Sequence, residues 1–476
     1  MAMATTACSQ ELAEVVQMAR TMVLQSRNSA KASVTLQGLE HSTLNYHGMG
    51  HLSDCVKLYD DSEYRLSLLL YNEGGYTIDD ARTWLSGVMT NHRTCLEGLG
   101  ENGFGIQDYA EAQNLTALLS QALALCGNGN DVGAKQELRR VPKLTQGGKL
   151  LSSWNPATSR ADIVVAKDGS GNFKTINEAV AAVARMGNKR PQRVIVHVKA
   201  GVYNEKVDID RDVKNLMLVG DGIDRTIVTG NRNVPDGAST YGSATFGVSG
   251  DGFWARDITF ENTAGPNKHQ AVAIRVSSDH SVFYRCSFRG YQDTLFVHSL
   301  RQFYRDCQIY GTIDFIFGDA PAVIQNCDIL VRRPMNHQAN MITAQGREDP
   351  NQNTGISIQG SRVRAAPDLD SVKHQFKTYL GRPWKKYSRT VFLKTDLDGL
   401  IDPQGWREWS GDFALRTLYY AEYMNTGSGA STGRRVNWPG FHVLDNPQQA
   451  SPFAVSRFIQ GELWIPDTGV PFWSEI

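Results

Sequence analysis

Two aspartates stand in the same place relative to two cysteines: Asp293 lies seven residues after Cys286, and Asp314 seven after Cys307. The cysteines belong to the related segments FYRCSF and FYRDCQI. A third, VIQNCDI, continues the series through Cys327, at intervals of 21 and 20 residues. If the segments are successive turns of a coil, the two carboxylates share one face, about 4.8 Å apart. Carboxylates that close resist ionising together, so one keeps its proton while the other is a carboxylate, which separates an acid from a nucleophile. Gln270 and Gln292, 22 residues apart, would border the acidic pair one turn back. Asp314 lies in the apolar string GTIDFIFG, and a buried carboxylate calls for a cation. Arg382 in YLGRPWKKY is the natural partner because a guanidinium binds a carboxylate in bidentate fashion. Trp384 beside it offers a ring to a sugar. Each residue also has a plainer reading: aspartate is a common turn residue, Arg382 could be an exposed loop charge, and Trp384 could cap the core.

The elements that would hold these residues are short. After Ala161, β-rich runs such as VIVHVKAG, LMLVGDG, RTIVTG and FWARDITFEN alternate with Gly, Asn and Asp. One helix is expected around Ile176 to Ala184. WARDITF and ISIQGSRV are looser copies of the cysteine-bearing segments. A period near 20 residues with a few short strands per turn predicts a parallel β-helix, with a β-sandwich of coincidental spacing as the alternative. Residues 10–126 differ: Leu12, Val15, Val16, Ala19 and Val23, then Leu115, Leu118, Leu119, Ala122 and Leu125, recur at helical spacing. Asp79 and Asp80 supply the carboxylates that favour a helix start. The expected organisation is an all-α, four-helix-bundle-like domain over 1–126, a linker over 127–160 rich in helix breakers, and an all-β domain over 161–476.

Composition narrows the function classes. The chain carries no net charge, with 12 Lys+Arg against 16 Asp+Glu in residues 1–150 and 37 against 33 in the remainder. That asymmetry is too small to argue for nucleic acid. No apolar run approaches the roughly 18 residues that span a bilayer. The opening MAMATTACSQELAEVV has no basic segment followed by an apolar one, so no secretory signal is read there. The seven cysteines include no CxxC pair, against a zinc cluster. Asn114-Leu115-Thr116 is a lone glycosylation triplet. Asp168-Gly-Ser-Gly171 and Gly220-Asp-Gly222 fit no phosphate-loop pattern and read as tight turns.

The strings KDGSGNFKTINEAV, DITFENTAGPNKHQAVAIR, YQDTLFVH, GTIDFIFG and YLGRPW, in that order across most of residues 161–476, closely resemble the pectin methylesterases. The resemblance implies a right-handed parallel β-helix, in agreement with the repeat. It implies that Asp314 attacks the methyl-ester carbonyl of a galacturonate unit in methyl-esterified homogalacturonan. Asp293 would then protonate departing methanol and activate the water that releases the acyl-enzyme. Gln270 and Gln292 would face the oxyanion, Arg382 would hold Asp314, and Trp384 and Thr240 would line the sugar cleft. It implies a Cys307–Cys327 disulfide, with Cys286 a buried thiol, and no metal or organic cofactor.

Residues 9–126 resemble the inhibitor domain that precedes the catalytic part in many plant members. LSDCVKLYDDS and DDARTWLSGVMTNHRTCLEGL carry the likeness and contain Cys55 and Cys95, which the resemblance joins in a disulfide. The family's opening cysteine pair is represented by Cys8 alone. The family's basic processing site between domains corresponds to Gly147–Leu151, GGKLL, without an arginine doublet; Arg139-Arg140 is a poorer substitute. The expected setting is the cell wall, as a monomer, with a separate inhibitor protein or the chain's own helical domain as partner. Two rivals remain. A glycosidase also uses paired carboxylates, and a catalytically silent wall-binding or inhibitor protein could keep the same residues. A serine esterase is disfavoured beside the Gln-Asp-Asp-Arg set that these strings carry.

Overall fold

The computed structural model describes residues 10–39, 46–71, 75–101, 109–127, 150–187 and 190–476. Cys8, Arg139-Arg140 and most of the expected linker, residues 128–149, lie outside them. The chain divides into two compact units, residues 1–138 with the short segments 237–242 and 349–354, and the remainder.

Among the described residues the first unit has four helices: α1 (Gln10–Leu39), α2 (Tyr46–Tyr71), α3 (Ile78–Glu101) and α4 (Tyr109–Gly127). Each packs on the next and α4 closes against α1. Of the periodic set read from sequence, Leu12, Val15, Val16, Ala19, Val23, Leu115, Leu119 and Ala122 are buried, as are Leu66, Leu85 and Val88, while Leu118 and Leu125 are half-buried. Helix α3 starts where Thr77 and Asp80 cap each other: the Asp80 amide donates to Thr77 Oγ1 at 3.1 Å and the Thr77 amide to Asp80 Oδ2 at 2.9 Å. Cys55 and Cys95 are joined in a disulfide between α2 and α3, as expected.

The second unit is a right-handed parallel β-helix of three sheets, with 11, 8 and 7 strands, every pair parallel. The intervals seen in sequence are the registers of the coil. Phe283 pairs with Tyr304, 21 residues on, and Gln308 with Asp328, 20 residues on. One residue per coil turns the chain from the 11-stranded sheet into the 8-stranded one. It is Asp257, Arg285, Asp306, Asn326, Gly360, Lys394 or Met424, all left-handed with φ between 48° and 56°. The next residue points inward: Cys286, Cys307, Cys327, Ser361, Thr395.

That inward ladder corrects one expectation. Cys286, Cys307 and Cys327 are free thiols, and no Cys307–Cys327 bond is formed. Cys307, Cys327 and Ser361 each cap the corner amide of the preceding coil instead. The Cys286 amide donates to Cys307 Sγ at 3.5 Å, the Cys307 amide to Cys327 Sγ at 3.3 Å, and the Cys327 amide to Ser361 Oγ at 3.1 Å. The thiols donate in turn to Arg305 and Gln325 carbonyls of their own coils. Ser361 does the same job as a cysteine, so on these coils the position uses a small group that both donates and accepts, and a crosslink would remove it. Burial holds the Cys307 thiol well above its ordinary pKa, hence protonated.

The core inside the coil is aliphatic and aromatic throughout, and the amphipathic helix Ile176–Arg185 lays Ile176, Ala179 and Val183 against it. Thr175 and Glu178 form a capping box at its start. The outer face of the 11-stranded sheet is covered at both ends of the unit's sequence. Leu151 and Trp154 join Phe453, Phe458, Trp464 and Ile465 over Met217, Trp254, Val282 and Phe303. The second unit therefore already includes Leu150–Trp154, ahead of the expected start at residue 161.

Candidate active site

The 7-stranded sheet carries the site. Ile274, Leu295, Ile316, Thr343 and Gly381 lie in one register across five strands. Two residues upstream of Leu295 and Ile316 are Asp293 and Asp314, so the carboxylates stand on adjacent coils, a strand spacing of about 4.8 Å apart. The Asp293 amide donates to the Ile313 carbonyl at 3.0 Å, tying the two entry turns together. Both aspartates are left-handed, with φ of 64° and 50°. Aspartate tolerates that conformation better than most side chains, and here it turns the carboxylates out of the strand's alternation. Asp293 and Asp314 are nonetheless only 6% and 5% exposed.

Gln270, one coil back, is bridged to Gln292, the residue before Asp293, as their spacing suggested, and both are half-buried. Arg382 follows the strand Thr378–Gly381 and reaches back two coils. Its Nε donates to Asp314 Oδ1 at 2.9 Å and its Nη2 to Oδ2 at 2.6 Å, a bidentate fork. The alternative of an exposed loop charge is thereby set aside. Burial pushes the Asp314 carboxyl up from its ordinary pKa, and the Arg382 guanidinium pulls it back without cancelling the rise. On Arg382 burial works against the charge, but Asp314 and, more weakly, Asp293 outweigh it and raise the pKa.

An aromatic strip runs beside this pair. Phe296 and Phe317 are register partners stacked at 4.2 Å, and Trp384 leans on Phe317 at 5.9 Å. Trp384 is half-buried, lying so close over Gly346 that a Cβ there would meet its ring at 2.9 Å. Trp409, unremarked in the sequence, sits with its ring 4.3 Å from the Arg382 guanidinium carbon and is 37% exposed. Its signal was faint: Trp406, three residues earlier, bridges Gly381, so the pair marks the next coil, where the repeat has decayed. Thr240 falls in the segment 237–242, which groups with the helical unit.

A carboxylate held by a guanidinium fork, a second acid one strand away, two amide side chains and a strip of rings suit acyl transfer on a carbohydrate ester. The family model for pectinesterase matches residues 162–462. The chain belongs to the pectinesterase family. Its helical unit matches the plant invertase/pectin methylesterase inhibitor model over residues 3–125. The chain is 61% identical to a probable pectinesterase/pectinesterase inhibitor 36 of Arabidopsis thaliana, over 96% of this chain and 93% of that one. Among solved structures, the pectin methylesterase from carrot is 53% identical, with a TM-score of 0.66, covering 68% of this chain and all of that one. A pectin methylesterase in complex with hexasaccharide VII is 27% identical, with a TM-score of 0.52, covering 63% of this chain and 97% of that one. As a pectinesterase, the chain is a carboxylic ester hydrolase. Among the described residues no helix is long and apolar enough to cross a membrane.

Proposed function

We propose that this pectinesterase removes methyl groups from homogalacturonan in the plant cell wall, releasing methanol and leaving pectate, with Asp314 as nucleophile. The observation that carries the assignment is the bidentate Arg382–Asp314 pair in register with Asp293. An Asp314 oxygen attacks the C6 carbonyl carbon, and the Gln270 and Gln292 amides donate to the oxyanion that forms. Collapse breaks the C–O bond to methoxide, which takes the Asp293 proton and departs as methanol. Asp293, now a carboxylate, deprotonates a water that attacks the anhydride carbonyl, releasing galacturonate and restoring both aspartates. Arg382 balances charge at Asp314 throughout, and Trp384 and Trp409 would stack on sugar faces, with the buried Phe296–Phe317 stack backing Trp384. Substrate as a polymer fits the neighbour bound to a hexasaccharide. Secretion and a monomeric state belong to the same reading.

Methanol release from highly methylated pectin, compared between the natural chain and a folded Asp314→Ala variant, tests it. Release by the natural chain alone is expected, with no new reducing ends. Comparable release by the variant would remove Asp314 from the role, and new reducing ends without methanol would replace the esterase by a glycosidase.

A further inference from the structure

Arg382 and Trp384 ride on one seven-residue loop, residues 382–388, between the strands Thr378–Gly381 and Arg389–Leu393. The loop's first residue is fixed, since the Arg382 amide donates to the Thr343 carbonyl at 3.0 Å. Its far end is fixed differently. Ser388 is fully buried, its carbonyl accepts from the Tyr419 amide at 2.9 Å, and its hydroxyl lies 3.0 Å from the Tyr420 hydroxyl. Tyr420 is also fully buried, with its ring stacked on Trp406 at 4.2 Å. Trp406 bridges Gly381, the residue before Arg382, and the Arg407 amide donates to the Gly381 carbonyl at 3.0 Å. One tyrosine thus links both ends of the loop, directly through its hydroxyl at Ser388 and through Trp406, on which its ring stacks, at the Gly381–Arg382 end. Burial raises the Tyr420 hydroxyl far above its ordinary pKa, with the Asp314 charge adding to the rise and Arg382 opposing it. The hydroxyl therefore acts as a neutral hydrogen-bonding group within electrostatic range of the ion pair.

We propose that Tyr420 is a positioning residue: its hydroxyl, by holding Ser388, closes the loop so that the Arg382 fork stays aligned on Asp314. The proposal rests on the reading of Asp314 as nucleophile. A fork slackened at one end holds its carboxylate less well, so Asp314 would stay protonated to higher pH, and fewer molecules would carry the nucleophile.

Tyr420→Phe in the full chain removes the hydroxyl and keeps the stacked ring. Methanol release from methylated pectin should show kcat reduced about tenfold, the scale of one buried hydrogen bond. KM should be little changed, and the acid limb of kcat against pH should move upward. Ser388→Ala should reproduce both effects, and the double variant should be no worse than the more affected single one, because both remove one contact. A separate readout follows the Asp314 carboxyl by 13C NMR in chain labelled at the aspartate side-chain carboxyl carbon, assigned through Asp314→Asn. Its titration midpoint should rise in Tyr420→Phe. A natural chain that releases no methanol while the midpoint still shifts would overturn the nucleophile reading and leave the positioning role standing. An unmoved midpoint and acid limb in Tyr420→Phe, or in Ser388→Ala should the first fail to fold, would overturn the positioning role, whatever happens to melting temperature.

Discussion

Arg382 does two things at one carboxylate, and they can be measured apart. It offsets the cost of burying Asp314, and it keeps that group ionised at lower pH than burial alone would allow. Arg382→Lys keeps the charge and loses the fork. The expected outcome is kcat/KM on methylated pectin reduced about a hundredfold, of the order seen when an oriented charged donor is removed. The acid limb should move to higher pH, because a carboxyl whose partner is weakened loses its proton later. Stability has its own sign. A buried carboxyl with a raised pKa is least costly when protonated, so the variant's deficit should shrink as pH falls through that pKa. Denaturant titrations at two pH values check this, and a deficit that grew in acid would contradict the assignment. At this scale much was legible in sequence. Asp293, Asp314, Gln270 and Gln292 declared themselves through spacing against the cysteines, and Arg382 through the need of a buried anion. Trp409 did not, since a ring stacked on a guanidinium from a later loop leaves no periodic mark. The family resemblance, with which the same ruler agreed, misled over Cys307 and Cys327. Equivalent inward positions on adjacent coils suit a disulfide and a ladder of amide caps equally well as spacing, and only Ser361 in the next coil distinguishes them.

Among the elements, the helices of the first unit carry a polar thread that hydropathy did not reveal. Tyr59 of α2 donates to His92 Nδ1 of α3 at 3.0 Å, and His92 Nε2 donates to the Ala112 carbonyl of α4 at 3.0 Å. Ser26 of α1 is hydrogen-bonded to the same tyrosine hydroxyl. The imidazole ties α2, α3 and α4 directly and α1 through the Tyr59 hydroxyl, and the carbonyl at Nε2 fixes its tautomer. Burial, reinforced by Arg93 and opposed by the Ala112 carbonyl, lowers its pKa to about 4, while burial raises the Tyr59 hydroxyl to about 12. A histidine depressed in the folded state contributes full stability above its unfolded pKa, near 6.5. That contribution is lost as pH falls toward the folded value, up to about 3 kcal/mol in all. Thermal melting followed by helix circular dichroism should show the helical unit weakening between pH 6.5 and 4. His92→Gln, though less stable at neutral pH, should lose most of that slope. An unchanged slope in the variant would place the acid sensitivity elsewhere. The β unit shows the converse of this hidden thread. Its coil was readable because segments such as FYRCSF and VIQNCDI keep their length. Its outer cover, Phe453 to Val470 with Leu151 and Trp154, was not, because those residues follow no repeat and pack only once the sheet exists.

For the whole molecule, the question is where one unit ends and the other begins, since the helical unit matches an inhibitor family and the β unit an enzyme family. The processing string expected at Gly147–Leu151 ends inside the enzyme's core. Leu151 is fully buried, its carbonyl accepts from Arg256, and Trp154 lies edge-on to His197 beside the same sheet. Burying a leucine and a tryptophan side chain contributes roughly 1.5–3 kcal/mol each, a large share of a marginal stability. Separation of the units must therefore fall before Leu150 if the enzyme is to keep its cover. Two shortened chains test this, one beginning at Leu150 and one at Asn155. The first should melt as the β unit does in the full chain. The second should melt several degrees lower, with Arg256 left buried beside Asp257 without its carbonyl partner. If the helical unit restrains catalysis, the chain beginning at Leu150 should also release methanol faster per folded molecule than the full chain. Equal melting of the two shortened chains would mean that Leu151 and Trp154 are ornaments on a self-sufficient coil. Equal turnover of the full chain and the chain beginning at Leu150 would mean that the helices impose no restraint on the active site.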